Sequence, residues 1–179
     1  MNAWIQTGIG VALGFIASYT YLRYLGTRVV PRIDFSKNLY CGVEQGKRRY
    51  WMEVRNSNKR RGILEPRFLA TFRVSFEGRN ALSVWDIPVS NLKILRLAPG
   101  GKRRLFLNPA GVSDFVRDQV RMYSMDEIDT DAWSIADLFS IGTDATLTVE
   151  MIGYDERSAT RKYLKSHIYR AEDILLSSV

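Results

Sequence analysis

The 179-residue chain carries 26 Lys and Arg against 19 Asp and Glu, a net charge of +7 with a pI near 9.7. One histidine and one cysteine exclude a disulfide framework, and no HxxxH, CxxC, P-loop or GxGxxG spacing is present, so neither a cofactor nor enzyme chemistry is expected. The basic surplus directs attention to anionic partners instead, a membrane surface or a nucleic acid.

Residues 3–25 (AWIQTGIGVALGFIASYTYLRYL) hold no charged side chain before Arg23. At about 1.5 Å per residue, Trp4 to Tyr24 covers roughly 30 Å as a helix, the thickness of a bilayer's hydrocarbon core. Trp4 marks one end and Tyr19, Tyr21 and Tyr24 the other, where amphipathic rings sit well between hydrocarbon and headgroups. A single transmembrane helix within residues 1–26 is therefore expected. Its competitors are a buried core helix and a cleaved signal peptide, which would carry Lys or Arg ahead of a shorter apolar run. The N-terminal flank has no Lys or Arg, whereas Arg23, Arg28, Arg32 and Lys37 follow the span. The positive-inside rule then sets the N-terminus outside and the C-terminal domain in the cytoplasm of a cell with this chain in its inner membrane. The lone Cys41 agrees with a reducing compartment. Within the helix, Gln6, Gly10, Gly14 and Ser18 recur every four residues, and Gly10 and Gly14 make a GxxxG. Small residues on one face let two backbones approach closely in lipid, so the seam predicts self-association.

Residues 27–37 form a basic juxtamembrane connector in which Pro31 bars continuation of the helix. Arg23, Arg28, Arg32 and Lys37 lie near the inner leaflet, where each cation gains roughly 1 kcal/mol from anionic lipid. From residue 38 to 179 the pattern is that of one domain built from short alternating segments: 50–54 (YWMEV), 68–76 (FLATFRVSF), 92–97 (LKILRL), 105–107 and 145–152 (ATLTVEMI). Turn chemistry separates them at 44–46, 56–58, 77–80, 99–101 and 155–158. Only 112–122 and 134–139 read as helices. Many short strands at hairpin spacing predict an antiparallel β-sandwich. In 68–76 the set Phe68, Ala70, Phe72, Val74 and Phe76 faces the core, with Met52, Val54, Leu147 and Val149 as companions; Trp51, Trp85 and Trp133 belong to core or interface.

Three stretches carry a family resemblance. Tyr50-Trp-Met-Glu-Val-Arg-Asn56 followed by Ile63-Leu-Glu-Pro-Arg-Phe-Leu-Ala70, then Met125-Asp-Glu-Ile-Asp-Thr-Asp131 continuing to Leu138, and finally residues 147–174 with Tyr169 and Asp173-Ile174 near their end, resemble the cytoplasmic C-terminal domain of inward-rectifier potassium channels. The resemblance implies an immunoglobulin-like sandwich, a ring of four subunits, lipid-binding cations at Arg28, Arg32 and Lys37, and a gate-lining hairpin loop at Asp155, Glu156, Arg157, Ser158 and Ala159. That loop lacks the family's glycine. The channels need a second span and a selectivity filter, which this chain does not show, so potassium selectivity does not carry over.

Ser158, His167 and Asp155 as a triad, and Asp126, Glu127, Asp129 and Asp131 as a calcium loop, are both disfavoured. The former fall on a solvated hairpin, and the latter lack the Gly and terminal Glu of an EF-hand. Charge is distributed unevenly: residues 33–111 hold 16 Lys and Arg against 6 Asp and Glu, net +10, whereas residues 112–156 hold 2 against 11, net −9. The triplets Lys47-Arg48-Arg49, Lys59-Arg60-Arg61 and Lys102-Arg103-Arg104 fall at or beside turns and are candidates for one phosphate-binding or membrane-binding patch. No aromatic residue is interleaved among the triplets, which weakens a nucleic-acid reading. The expectation is a single transmembrane helix followed by an all-β immunoglobulin-like sandwich that forms a homo-oligomer, senses an anionic ligand or lipid, and acts at the membrane as a channel-like or effector subunit. A membrane-anchored sandwich that recruits a protein partner is the alternative, and a tethered nucleotide or nucleic-acid binder the second alternative.

Overall fold

The computed structural model describes residues 3–24, 31–44, 47–76, 82–90, 94–112, 116–118 and 134–177. Helix α1 (Ala3–Tyr24) is unbroken over 22 residues, as a run without proline allows. From Trp4 to Tyr24 its side chains are exposed, and among the described residues it is the one helix long and apolar enough to cross a membrane.

The body is a two-layer β-sandwich. Eleven strands are described: β1 (Ile33–Phe35), β2 (Leu39–Glu44), β3 (Lys47–Asn56), β4 (Ile63–Ser75), β5 (Leu82–Ile87), β6 (Val89–Ser90), β7 (Arg96–Leu97), β8 (Lys102–Leu107), β9 (Thr143–Asp155), β10 (Arg161–Lys165) and β11 (Ile174–Leu176). One sheet runs β11-β2-β3-β8-β6, and β1 also pairs with β3; the other runs β10-β9-β4-β5, with β7 on β4. Every pairing is antiparallel except β11 with β2. Phe68, Ala70, Phe72, Val74 and Phe76 are buried together with Met52, Val54, Leu147 and Val149, so the face read from the alternation of β4 is the core face. Ile33 and Pro31 are buried too, which brings the last part of the connector into the sandwich.

Several elements depart from the sequence pattern. Of the strand expected over 92–97, Arg96–Leu97 are strand and Ile94 and Leu95 are not, Leu95 being 80% exposed, while 92 and 93 lie outside the described residues. Strand β4 bulges between Leu64 and Arg67, where Glu65 takes φ 47° and Pro66 needs no ladder hydrogen bond. Of the helix expected over 112–122, residues 116–118 are helical, Val112 precedes them, and the remainder lies outside the described residues, as does Trp133. Helix α2 (Ile135–Ser140) matches its expectation. Ser134 Oγ accepts the Asp137 N–H at 3.3 Å while the Asp137 carboxylate accepts the Ser134 N–H at 2.6 Å, a reciprocal cap that lets so short a helix bury Ile135, Leu138 and Phe139.

The C-terminal segment closes the sandwich. After β10 the chain crosses to the other sheet, and Tyr169 exchanges backbone hydrogen bonds with Leu147 at 2.8 and 2.9 Å. Its buried hydroxyl donates to the Ser36 carbonyl at 2.6 Å. Burial pushes the phenol's pKa far up, so the donor proton is retained across the working pH range. Tyr169→Phe removes this donor and leaves a carbonyl without it. The expected loss is about 1 kcal/mol of stability, read by chemical unfolding of the full chain in detergent.

Candidate membrane-facing end of the sandwich

The chain enters the sandwich at one end, and the partners of that entry point define the site. Ser57 N–H donates to the Arg32 carbonyl at 2.8 Å, and Ile33 pairs with Asn56 at the end of β3. Three connections gather around Asn56: the β3–β4 loop (57–62), the β7–β8 turn (98–101) and, through Arg61 and Gly62, the β9–β10 hairpin turn (156–160). Asn56 is fully buried. Its Nδ2 donates to the carbonyls of Arg61 at 2.7 Å, Ala98 at 3.2 Å and Leu97 at 3.4 Å, and its Oδ1 accepts the Asn58 N–H at 3.1 Å. Asn58 repeats the motif, its Oδ1 accepting the N–H groups of Arg60 and Arg61 at 2.8 and 3.1 Å while its carbonyl accepts the Gly100 N–H. Gly100 takes φ 67°, a conformation that a side chain would strain.

Ion pairs fasten the hairpin to this base. Arg61 Nη1 donates to both oxygens of Asp155, at 3.2 and 3.3 Å, and Asp155 is 1% exposed. Asp155 Oδ1 also accepts the N–H groups of Arg157 and Ser158 at 2.9 Å each. Burial pushes this carboxyl up, but the hydrogen bonds from Ser158 and Arg157 and the Arg61 guanidinium outweigh it and hold the pKa below the usual range. Glu156 accepts the Gly62 N–H at 2.9 Å and forms a two-point pair with Arg96 at 2.8 to 3.2 Å. A Cβ at Gly62 would collide with the Glu156 carboxylate, so a side chain there would displace Glu156 from its hydrogen bond to the Gly62 N–H. Ala159 takes φ 52°, the left-handed position that a glycine would fill more easily. The residues 155–159 named from the resemblance thus form a braced turn beside the tether.

The cations divide by register. Arg32, Lys59, Arg60, Arg96, Lys102 and Arg157 belong to the tether end, because Lys102 pairs with Arg55 next to Asn56. Lys47, Arg48 and Arg49 begin β3 at the other end, where Arg49 meets Glu44 at 2.7 Å. The three triplets therefore form no single patch; two share one end and the third occupies the opposite one. Lys37 is exposed in the bend between β1 and β2, its carbonyl 2.9 Å from His167 Nε2. Arg23 sits in the last turn of α1, while Arg28 lies outside the described residues. Arg103 is exposed, and Arg104 lies over Trp51 with Cζ 5.5 Å from the ring centroid.

That last contact belongs to a row that local sequence does not reveal. Tyr40, Trp51 and Phe106 stand side by side on the outer face of the first sheet, with centroids 5.9 and 6.2 Å apart, so the register interleaves aromatics with Arg49 and Arg104. Trp51 is nonetheless buried by its neighbours, and Glu53 draws Lys102 to 2.5 Å and Arg104 to 4.0 Å. On the hairpin, Ser158 bonds to Asp155 through its N–H and Ser158 Oγ lies 2.8 Å from Thr160 Oγ1, whereas His167 Nε2 lies against the Lys37 carbonyl, so the three do not form a triad. Asp126, Glu127, Asp129 and Asp131 lie outside the described residues, and no metal-ligating cluster occurs among the described ones. Gln6, Gly10, Gly14 and Ser18 share one side of α1, and a Cβ added at Gly10 or Gly14 would meet nothing within 4 Å. No protein-family model and no curated protein matches the chain.

The depressed Asp155 pKa has a defined pH consequence. A carboxyl held down in the fold adds stability above its unfolded value of about 3.9 and loses it as pH falls through the folded value. Asp155→Asn is expected to lower the neutral-pH melting temperature of the full chain, with a penalty that shrinks below about pH 4. A penalty constant across that range contradicts the ion-pair assignment.

Proposed function

We propose that this chain is a single-pass membrane protein whose cytoplasmic sandwich, of the immunoglobulin-like type found in inward-rectifier potassium channels, assembles into a ring and senses an anionic ligand or lipid. It acts on the helix bundle as a channel-like or effector subunit. The observation that carries this reading is the meeting, at one end of the sandwich, of the tether from α1, the braced 155–160 hairpin and a set of exposed cations. In the channel resemblance that hairpin lies against the gate, and here it stands within one network of the chain's entry from the helix. A displacement of the hairpin is transmitted to Arg32 through Asp155, Arg61, Asn56 and Ser57, which are linked by hydrogen bonds or chain continuity. In the membrane, the Gly10 and Gly14 face supplies the close approach that assembly requires, since lipid offers no hydrophobic drive between helices.

The uneven charge of the domain favours head-to-tail contacts, because a two-fold contact between like patches sets equal charges face to face. A heterologous contact that closes makes a ring, and the resemblance implies four members. Liposomes carrying the pure full-length chain are expected to pass ions, and Gly10→Leu with Gly14→Leu to reduce both the flux and the assembled fraction. Absence of flux from assembled protein would instead favour an anchor that recruits a protein partner.

A further inference from the structure

We propose that the tether end of the sandwich is a docking surface for an anionic bilayer, so that the domain is held end-on against the membrane by its loops as well as by its connector. The inference rests on the reading that α1 anchors the chain. Seven residue steps separate Tyr24 from Pro31 and span at most about 25 Å, so the end bearing Arg32 stays close to the headgroups in any arrangement of the connector. The charge at that end is not balanced. Four of its acids are already engaged, Asp155 by Arg61, Glu156 by Arg96, Asp34 by Arg32 at 3.8 Å and Glu53 by Lys102, which leaves Glu65 as the one exposed acid there without an ion pair among the described residues. Lys59, Arg60 and Arg157 are exposed and have no ion-pair partner among the described residues.

The form of the surface selects the partner. The three cations stand on two separate exposed loops, whereas a small anion is held by polar groups converging in a concavity. The neighbouring exposed positions Ala98, Gly100 and Ala159 offer little apolar bulk, so the contact is one of charge at headgroup level without insertion. The loops are also fixed in advance by Asn56, Asn58 and Asp155, which removes most of the ordering cost of contact. Lys47, Arg48 and Arg49, at the far end, take no part.

The test uses the full chain in nanodiscs, with a donor dye on Ser158→Cys and acceptors on the lipid headgroups; Cys41 is buried and stays unlabelled. Energy transfer at low salt is expected to be higher in discs containing anionic lipid than in zwitterionic discs. The excess is expected to vanish at high salt, the screening length falling from about 10 Å at 0.1 M to 3 Å at 1 M. Lys59→Glu with Arg60→Glu and Arg157→Glu should abolish the excess, and Lys47→Glu with Arg48→Glu and Arg49→Glu should leave it intact. Equal transfer in both lipids, or an excess that depends on the far-end triplet, overturns the docking surface while leaving the anchor standing. Failure of the chain to enter discs overturns the anchor itself.

Discussion

One buried amide organises the end of the sandwich at which the chain enters from the side of its apolar helix. Asn56 closes β3, and its side chain satisfies carbonyls from both the β3–β4 loop and the β7–β8 turn. Backbone carbonyls in those connections have no strand partner, and leaving them buried and unpaired is costly, so one side chain with two donors does what a ladder does elsewhere. Because Ser57 follows Asn56 and holds Arg32, and because Arg61 reaches Asp155, the same residue sets the positions of the chain's entry and of the hairpin. Precise placement of the loop cations is a secondary result of satisfying backbone groups.

The fold separates the basic triplets although local sequence presents them as equivalent. A strand of ten residues spans roughly 30 Å, and the triplets of β3 and β8 begin their strands at opposite ends because the two run antiparallel. The tether end keeps Lys59, Arg60 and Arg157 exposed and unpaired among the described residues, while most of its acids are engaged by other cations. Next to that end, Glu53 takes Lys102 into an ion pair, and further along the sheet the Tyr40, Trp51 and Phe106 row takes Arg104 into a ring contact. The same residue types thus play different parts according to register.

Much of the architecture was legible in the sequence, for reasons specific to each element. Helix α1 announces itself by the long interval before Arg23. Strand β4 does so because Phe68, Ala70, Phe72 and Val74, continued by Phe76, alternate with Leu69, Thr71, Arg73 and Ser75, of which three are polar, against a single covered face. Strand β2 was not visible, since LYCGVE has apolar character on both faces: Leu39 and Cys41 enter the core while Tyr40 stacks on Trp51 outside. Residues 94 and 95 read as strand but are not, because local alternation cannot anticipate the bulge in the partner of Arg96–Leu97. Asn56 reads only as a turn residue, and its burial depends on loops 41 and 42 positions away. The braced state of 155–159 was equally hidden, since the Arg61 partner is 94 residues distant from Asp155.

The central claim is that the short connection between an apolar helix and a basic, braced end builds a membrane assembly from copies of one chain. Native mass of the full-length protein in mild detergent, at membrane-like density, tests this most directly. A closed oligomer, with four copies as the expected number, is the predicted result. A chain that remains monomeric under those conditions contradicts the account, because neither the Gly10 and Gly14 seam nor the charge-separated domain would then have a partner.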